Sequence, residues 1–105
     1  MVDPKLYMRK AIEALMDDIK KDPQLFEQTV KSMFNKLGIE SSLDAVICYI
    51  MGICQGTISA MVEYAVVEFN ESRERADDLI VEMMDFAFPR IIVLKEFMLS
   101  QRIHE

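Results

Sequence analysis

The sequence predicts an all-α protein, a compact bundle of four to five helices around a long central apolar helix at about residues 42–70. Three glycines and three prolines in 105 residues are too few for the turns of a strand-rich fold. The chain is rich in Met, Leu, Ile, Ala, Glu and Lys, which favour or tolerate helix. Apolar residues recur at steps of three and four, the helical period. The length fits a single helical domain, residues 1–105.

Residues 1–38 are predicted to form a helical hairpin. Asp3-Pro4 and Asp22-Pro23 each provide an N-cap carboxylate followed by a proline suited to the first turn of a helix. Gly38 is well placed after the C-cap of the second helix. The link between the helices is short, so they are expected to be antiparallel neighbours. The expected helix boundaries are 4–21 and 23–37.

Residues 39–70 are predicted to hold the central helix, with Ser41 or Ser42 as N-cap. Nothing breaks its pattern decisively before Asn70, so it should be roughly 42 Å long at about 1.5 Å per residue. Residues 71–105 are predicted to form C-terminal helices with a break near Pro89. Proline removes an amide hydrogen bond and crowds the preceding turn, so a helix should end or kink there.

The central helix has two unlike faces on a helical wheel. One is broad and bulky, as an intrachain core requires: Ile47, Ile50, Met51, Cys54, Ile58, Met61, Val62 and Phe69. The opposite, small-residue face comprises Ala45, Cys48, Gly52, Gly56, Ser59 and Ala60, with Gln55 and Glu63 beside it. A glycine inside a helix costs up to about 1 kcal/mol relative to alanine, so two glycines one turn apart indicate a steric reason. Such spacing lets another backbone approach closely.

Three arrangements would explain the small-residue face. It could pack against the first or second helix of the same chain, or against the same helix of a twofold mate. The chain is 51% hydrophobic, which is high for a small domain and favours the mate. The interface residues would then be Gly52, Gly56, Ser59, Ala60 and Glu63. In the third arrangement the space over the glycines is a small-ligand pocket, with Gln55, Ser59 and Glu63 as its polar groups.

The central helix also contains eighteen residues without a formal charge, 45–62, the length at which a membrane span is considered. Glycine, glutamine, threonine and serine dilute its hydrophobicity. The adjacent charges are the acidic Asp44 and Glu63, and no Lys/Arg cluster anchors either end. The other helices are amphipathic, as expected of helices that cover a central helix in water. A bundle without membrane contact is therefore predicted.

The charge distribution limits the partners. A formal net charge of −6 argues against a nonspecific nucleic-acid binder, which needs a basic footprint. Residues 38–105 carry twelve acidic and five basic residues, so this part holds almost all the negative charge. A basic protein partner is one interpretation, and a solvated acidic face is the commoner one.

Few residues suggest chemistry. Cys48 and Cys54 point in different directions on one helix and cannot form an intrahelical disulfide, so two free thiols are expected. Together with a charged N-terminus that is unlike a signal peptide, they predict a cytoplasmic protein. The one histidine, His104, is next to the C-terminus. With two cysteines and one histidine no zinc site is expected, and no phosphate-binding loop occurs, so no cofactor is predicted.

Two short stretches of the chain resemble known motifs. Residues 33–46 resemble the turn of a DNA-binding helix-turn-helix over fewer than fifteen residues, but the reading helix would offer Leu43, Asp44, Ala45 and Val46 rather than base-reading side chains. Glu71-x-x-Glu74 and Glu82-x-x-Asp85 resemble the acidic pairs of helical magnesium-dependent nucleotide pyrophosphohydrolases. That family places its pairs on two separate helices, whereas these lie on one helix and its start. A solvated acidic face is therefore preferred, with no metal.

The sequence thus favours a noncatalytic, self-associating protein-interaction module, a homodimer with an acidic surface. The alternative is a small-molecule or lipid-binding helical regulatory domain with a pocket beside Gly52 and Gly56. A metal-dependent helical nucleotide hydrolase comes third.

Overall fold

The computed structural model describes residues 4–69 and 72–103, except for the side chains of Phe69 and Ile103. These residues form four helices: α1 (Pro4–Lys21), α2 (Pro23–Lys36), α3 (Leu43–Phe69) and α4 (Arg73–Ile103). Within the described ranges there is no strand. The predicted all-α bundle with a long central helix is therefore confirmed. The expectations for Asp3, Glu71 and His104 lie outside the described residues.

Local hydrogen bonds define the helix ends. Asp22 Oδ1 accepts from the Leu25 amide at 3.1 Å and Pro23 opens α2, as the sequence indicated. After α2, the Gly38 and Ile39 amides donate back to the Asn35 and Phe34 carbonyls at 3.0 and 2.9 Å, a Schellman motif. Gly38 has φ +72°, which a residue without a Cβ adopts at no steric cost.

Serine hydroxyls cap the two long helices. Ser42 Oγ accepts from the Ala45 amide at 3.2 Å at the start of α3. Ser72 Oγ accepts from the Arg75 amide at 3.2 Å at the start of α4. Each bond satisfies one amide of the first helical turn that has no partner within the helix.

The helices form two layers. α3 and α4 pack side by side, and the α1–α2 hairpin covers one side of them, with α1 against α4 and α3 and α2 against α3. The molecule measures 49 × 28 × 17 Å, and the shortest dimension suits two helix layers about 10 Å apart. The core lies between the layers. Its largest fully buried side chains are Met8, Ile12, Ile50, Ile58, Met83 and Leu94.

The break expected near Pro89 is not present, because α4 continues through Pro89 as one helix. Ala87 and Ile91 on either side of the proline are buried in the core, which fixes the helix direction across it. Pro89 itself faces solvent. The missing amide of Pro89 deprives the Asp85 carbonyl of its helical donor, and the neighbouring Phe86 carbonyl accepts a hydrogen bond from Arg90 Nη1 at 2.9 Å.

Candidate interaction surface

The two faces of α3 differ in burial as predicted. Of the predicted bulky face, Ile50, Cys54, Ile58 and Val62 are at most 1% exposed and form the core side, together with Val46, which had not been assigned to that face. Within the bulky set, Met51 is an exception: it is 37% exposed, because the buried stripe passes through Ile50 and Cys54 instead. The predicted interface residues lie opposite this stripe. Four of them, Gly52, Gly56, Ala60 and Glu63, are exposed and Ser59 is half-buried.

The small-residue face is open in the single chain. A Cβ atom added to Gly52 or to Gly56 would have no heavy atom within 4 Å. Neither α1 nor α2 therefore packs on these glycines, and the intrachain arrangement does not occur among the described residues. The Phe34–Tyr49 ring contact, with centroids 6.1 Å apart, places α2 on a flank of α3 instead.

The polar groups of the hypothetical ligand pocket do not converge. Glu63 binds the Arg73 guanidinium at the start of α4, with both carboxylate oxygens engaged. This hydrogen bond, aided by the charge of Arg73, holds the pKa of Glu63 below its usual range. Gln55 is exposed and Ser59 half-buried on the open face. Glu63 thus joins α3 to α4 rather than facing a ligand.

A second ion pair joins the other ends of these helices. Lys95 Nζ lies 2.8 Å from Asp44 Oδ1, and its hydrogen bond and charge lower the pKa of Asp44. The two pairs, Asp44 with Lys95 and Glu63 with Arg73, fix α3 and α4 as antiparallel neighbours. They also define the register of the two helices, that is, which residue of α4 lies beside each residue of α3.

α4 carries an apolar ridge that was not predicted from the sequence. The ridge consists of Val81, Phe88, Ile92 and Leu99, which are 61%, 40%, 59% and 41% exposed. Their steps of seven, four and seven residues place them within about 40° of one another on a helical wheel. The spacing was readable in the sequence, but the interpretation of that segment as core helices separated at Pro89 obscured it.

The ridge and the small-residue face share one side of the molecule. Glu82 and Arg90 of α4 pair with Lys5 and Glu13 of α1, at 3.0 and 3.8 Å. The ridge lies about 140° around α4 from the centre of these contacts and next to Lys95, which faces α3. It is therefore on the side of the α3–α4 layer that the α1–α2 hairpin does not cover. We call this side, with the ridge and the small-residue face, the open side.

Acidic residues border the ridge. Asp78, Asp85 and Glu96 are exposed and lie about 20 to 80° from the ridge residues on the wheel of α4. Glu82, by contrast, is paired with Lys5 of α1. Among the described residues, no group of three or more His, Cys, Asp or Glu side chains could hold a metal ion.

A groove between α1 and α4 is a separate feature, with a volume of about 180 Å³. Glu13 and Arg90, which are 3.8 Å apart, both line it. Arg90 also stacks on the Phe86 ring, 3.5 Å from its centroid. Glu13 and Arg90 thus have partners within the chain.

One helix among the described residues, Leu43–Glu68, is long and apolar enough to cross a membrane, a test that core helices of soluble proteins also pass. Only 28% of its most apolar window is fully buried within the described chain. No protein family, curated protein or solved structure compared with the chain matches it.

Proposed function

We propose that this protein is a noncatalytic helical interaction module that self-associates through the small-residue face of α3. The observation that carries the proposal is the open space above Gly52 and Gly56 on a helix segment of eighteen uncharged residues. In a single chain each glycine costs up to about 1 kcal/mol relative to alanine. Close packing of a second chain offsets this cost, because glycine lets the two backbones approach.

The size of the open side fits a stable dimer. α3 has 27 residues, and two helices about 10 Å wide over about 40 Å present roughly 800 Å². A standard interface buries about 800 Å² on each partner.

A cytoplasmic location and a basic protein partner belong to the same proposal. Cys48 and Cys54 are both free, which suits a reducing compartment. The carboxylates of Asp78, Asp85 and Glu96 would meet the basic partner at the edge of the open side. This contact is secondary to self-association, because solvation alone also accounts for exposed carboxylates.

Substituting Gly56 by leucine tests the proposal. A Cβ at position 56 has no heavy atom within 4 Å among the described residues, so Gly56→Leu should fold and gain up to about 1 kcal/mol from its better helix propensity. In the dimer the same side chain separates the two backbones, so association should weaken. Light scattering across a concentration series measures the association, and urea unfolding at low concentration measures the stability.

Ser32→Leu is the matched control, because it adds a leucine at an exposed position of α2, away from the open side. It should associate as the wild type does. A Gly56→Leu protein that also associates like the wild type would contradict the use of this face.

The apolar length of α3 gives one rival, a lipid-contacting domain. Flotation with phosphatidylcholine vesicles separates the two functions. A chain that self-associates in buffer and does not float supports the proposal. A chain that stays monomeric in buffer and floats with the vesicles replaces self-association by lipid contact.

A further inference from the structure

We infer that the second copy seats its α4 ridge on the small-residue face of α3, and reciprocally. Two α3–α4 layers then form a four-helix bundle about a twofold axis parallel to the helices. This inference rests on the proposed self-association and names the element that occupies the open face.

The bulk of the two surfaces is complementary. The ridge presents Val81, Phe88 and Ile92 at levels within α3, whereas the middle of the facing side of α3 presents glycine, cysteine, serine and alanine. Both surfaces lie side by side on the open side, so a twofold axis along the helices places each ridge over the partner's small-residue face. Large residues set against small ones fill the space between layers at native density.

A twofold axis across the helices gives a poorer fit. It would place ridge on ridge and glycine on glycine, so the side chains of Phe88 and Ile92 would hold the glycines apart. Interpolation between the two ion pairs puts Asp85 near the level of Gly52, about 2 Å along the helix from the midpoint between Gly52 and Gly56. With the axis at that midpoint, each Asp85 would lie within about 5 Å of the level of its own copy, and like charges repel.

The arrangement in which each ridge lies on the partner's small-residue face also has a definite register. The same two ion pairs place Val81 near the level of Gly56, and Phe88 between the levels of Cys48 and Gly52. A twofold axis along the helices preserves these levels between copies. Ile92 of one copy therefore lies within about one turn of Cys48 of the other. Every neighbouring pair of helices is antiparallel, as in up-down bundles.

Disulfide formation between two differently labelled chains tests this register. The wild type supplies the exposed Cys48, and a Cys48→Ser/Ile92→Cys variant supplies a thiol on the ridge. Cys54 is fully buried in both chains. A disulfide needs Cα atoms within about 7 Å, and the inferred packing brings position 92 of one chain next to Cys48 of the other. On mild oxidation the mixture should therefore give a disulfide-linked heterodimer. Neither chain alone should cross-link, since the like helices are diagonal in the bundle.

Cys48→Ser/Val93→Cys is the matched control. Val93 is also exposed, at 52%, but it lines the groove against α1. Its thiol should not cross-link to Cys48 of another chain. Efficient cross-linking by this control would show random collision and overturn the inference.

The outcomes separate the inference from the proposed function. A wild type that stays monomeric at every concentration removes the proposed function. A wild type that associates but forms a Cys48–Cys48 disulfide retains self-association and overturns the inferred pairing of ridge with small-residue face. So does a wild type whose Cys48 cross-links to a Cys48→Ser/Ala60→Cys variant. Association without cross-linking from Ile92→Cys also overturns it.

A pair of charge substitutions gives an independent readout. Ile92→Asp should weaken association by about 100-fold or more, because the interface would bury an unpaired charge. Val93→Asp, at the next position, should leave the association affinity within about threefold of that of the wild type. Equal effects would overturn the inference. Urea unfolding at low concentration verifies that both variants fold.

Discussion

At the level of single residues, Gly52 and Gly56 account for the open small-residue face of α3. Their spacing in the sequence predicted close packing, but it could not tell which helix would supply the second backbone. The structure excludes α1 and α2 as the helix that supplies it, because no heavy atom of the described residues lies within 4 Å of a Cβ added at either glycine. Glu63 shows the same limit: its position on the wheel was predictable, while its pairing with Arg73 depends on where α4 begins.

The two cysteines should differ in reactivity. Cys48 is exposed, whereas Cys54 is fully buried and its burial raises the pKa of the thiol. The thiolate is the reactive form, so Cys54 should react with a disulfide reagent only after unfolding. Cys48 should react quickly in dilute protein and more slowly as concentration rises, because the second copy covers it.

Cys48→Ser is the control for this measurement and should abolish the fast reaction. A Cys48 reaction rate that stays constant over a concentration range in which the protein associates would contradict the proposed interface.

The Glu63–Arg73 pair should contribute to the pH dependence of folding. The pKa of Glu63 is lowered in the folded state, so the stability it adds is present above the usual pKa near 4.5. This stability is lost as the pH falls through the lower folded value. Both side chains are more than half exposed, so the effect should be small. Glu63→Gln should lower the urea midpoint at pH 7, and the difference should shrink at pH 3. An equal difference at both values would contradict the assignment.

At the level of helices, local signals predicted most boundaries. The caps at Asp22 and Ser42 and the turn at Gly38 depend on neighbouring residues, and α1 and α2 end within one residue of expectation. Pro89 was different, because its effect on α4 depends on burial of the flanking residues. The α4 ridge was missed for a related reason. A spacing of seven and four indicates an apolar face but not whether another helix covers it.

Pro89→Ala should stabilise the protein. The proline faces solvent inside a continuous helix, so alanine removes little packing and restores an amide donor for the Asp85 carbonyl. We expect a gain of about 1 to 3 kcal/mol in the free energy of unfolding. Urea unfolding measures it, and Ser100→Ala, at an exposed position of the same helix, controls for propensity. A loss of stability would mean that the proline shapes α4 for packing.

At the level of the whole molecule, a covered side and an uncovered side determine the function we propose. The fold class followed from composition and period, and the small-residue face followed from the wheel of one helix. The open side as a unit could not be predicted, because it requires knowing that α1 packs on Glu82 and Arg90 and so leaves the ridge free. Tertiary contacts between distant residues carry this information, and no local pattern does.

Sedimentation equilibrium of the unmodified chain in detergent-free buffer tests the central claim most directly. The chain has a mass of 12.2 kDa. We predict that the weight-average mass rises with concentration to a plateau at twice this value, because one other copy of the chain covers the open side. A mass that remains at 12.2 kDa up to high micromolar concentration would contradict self-association.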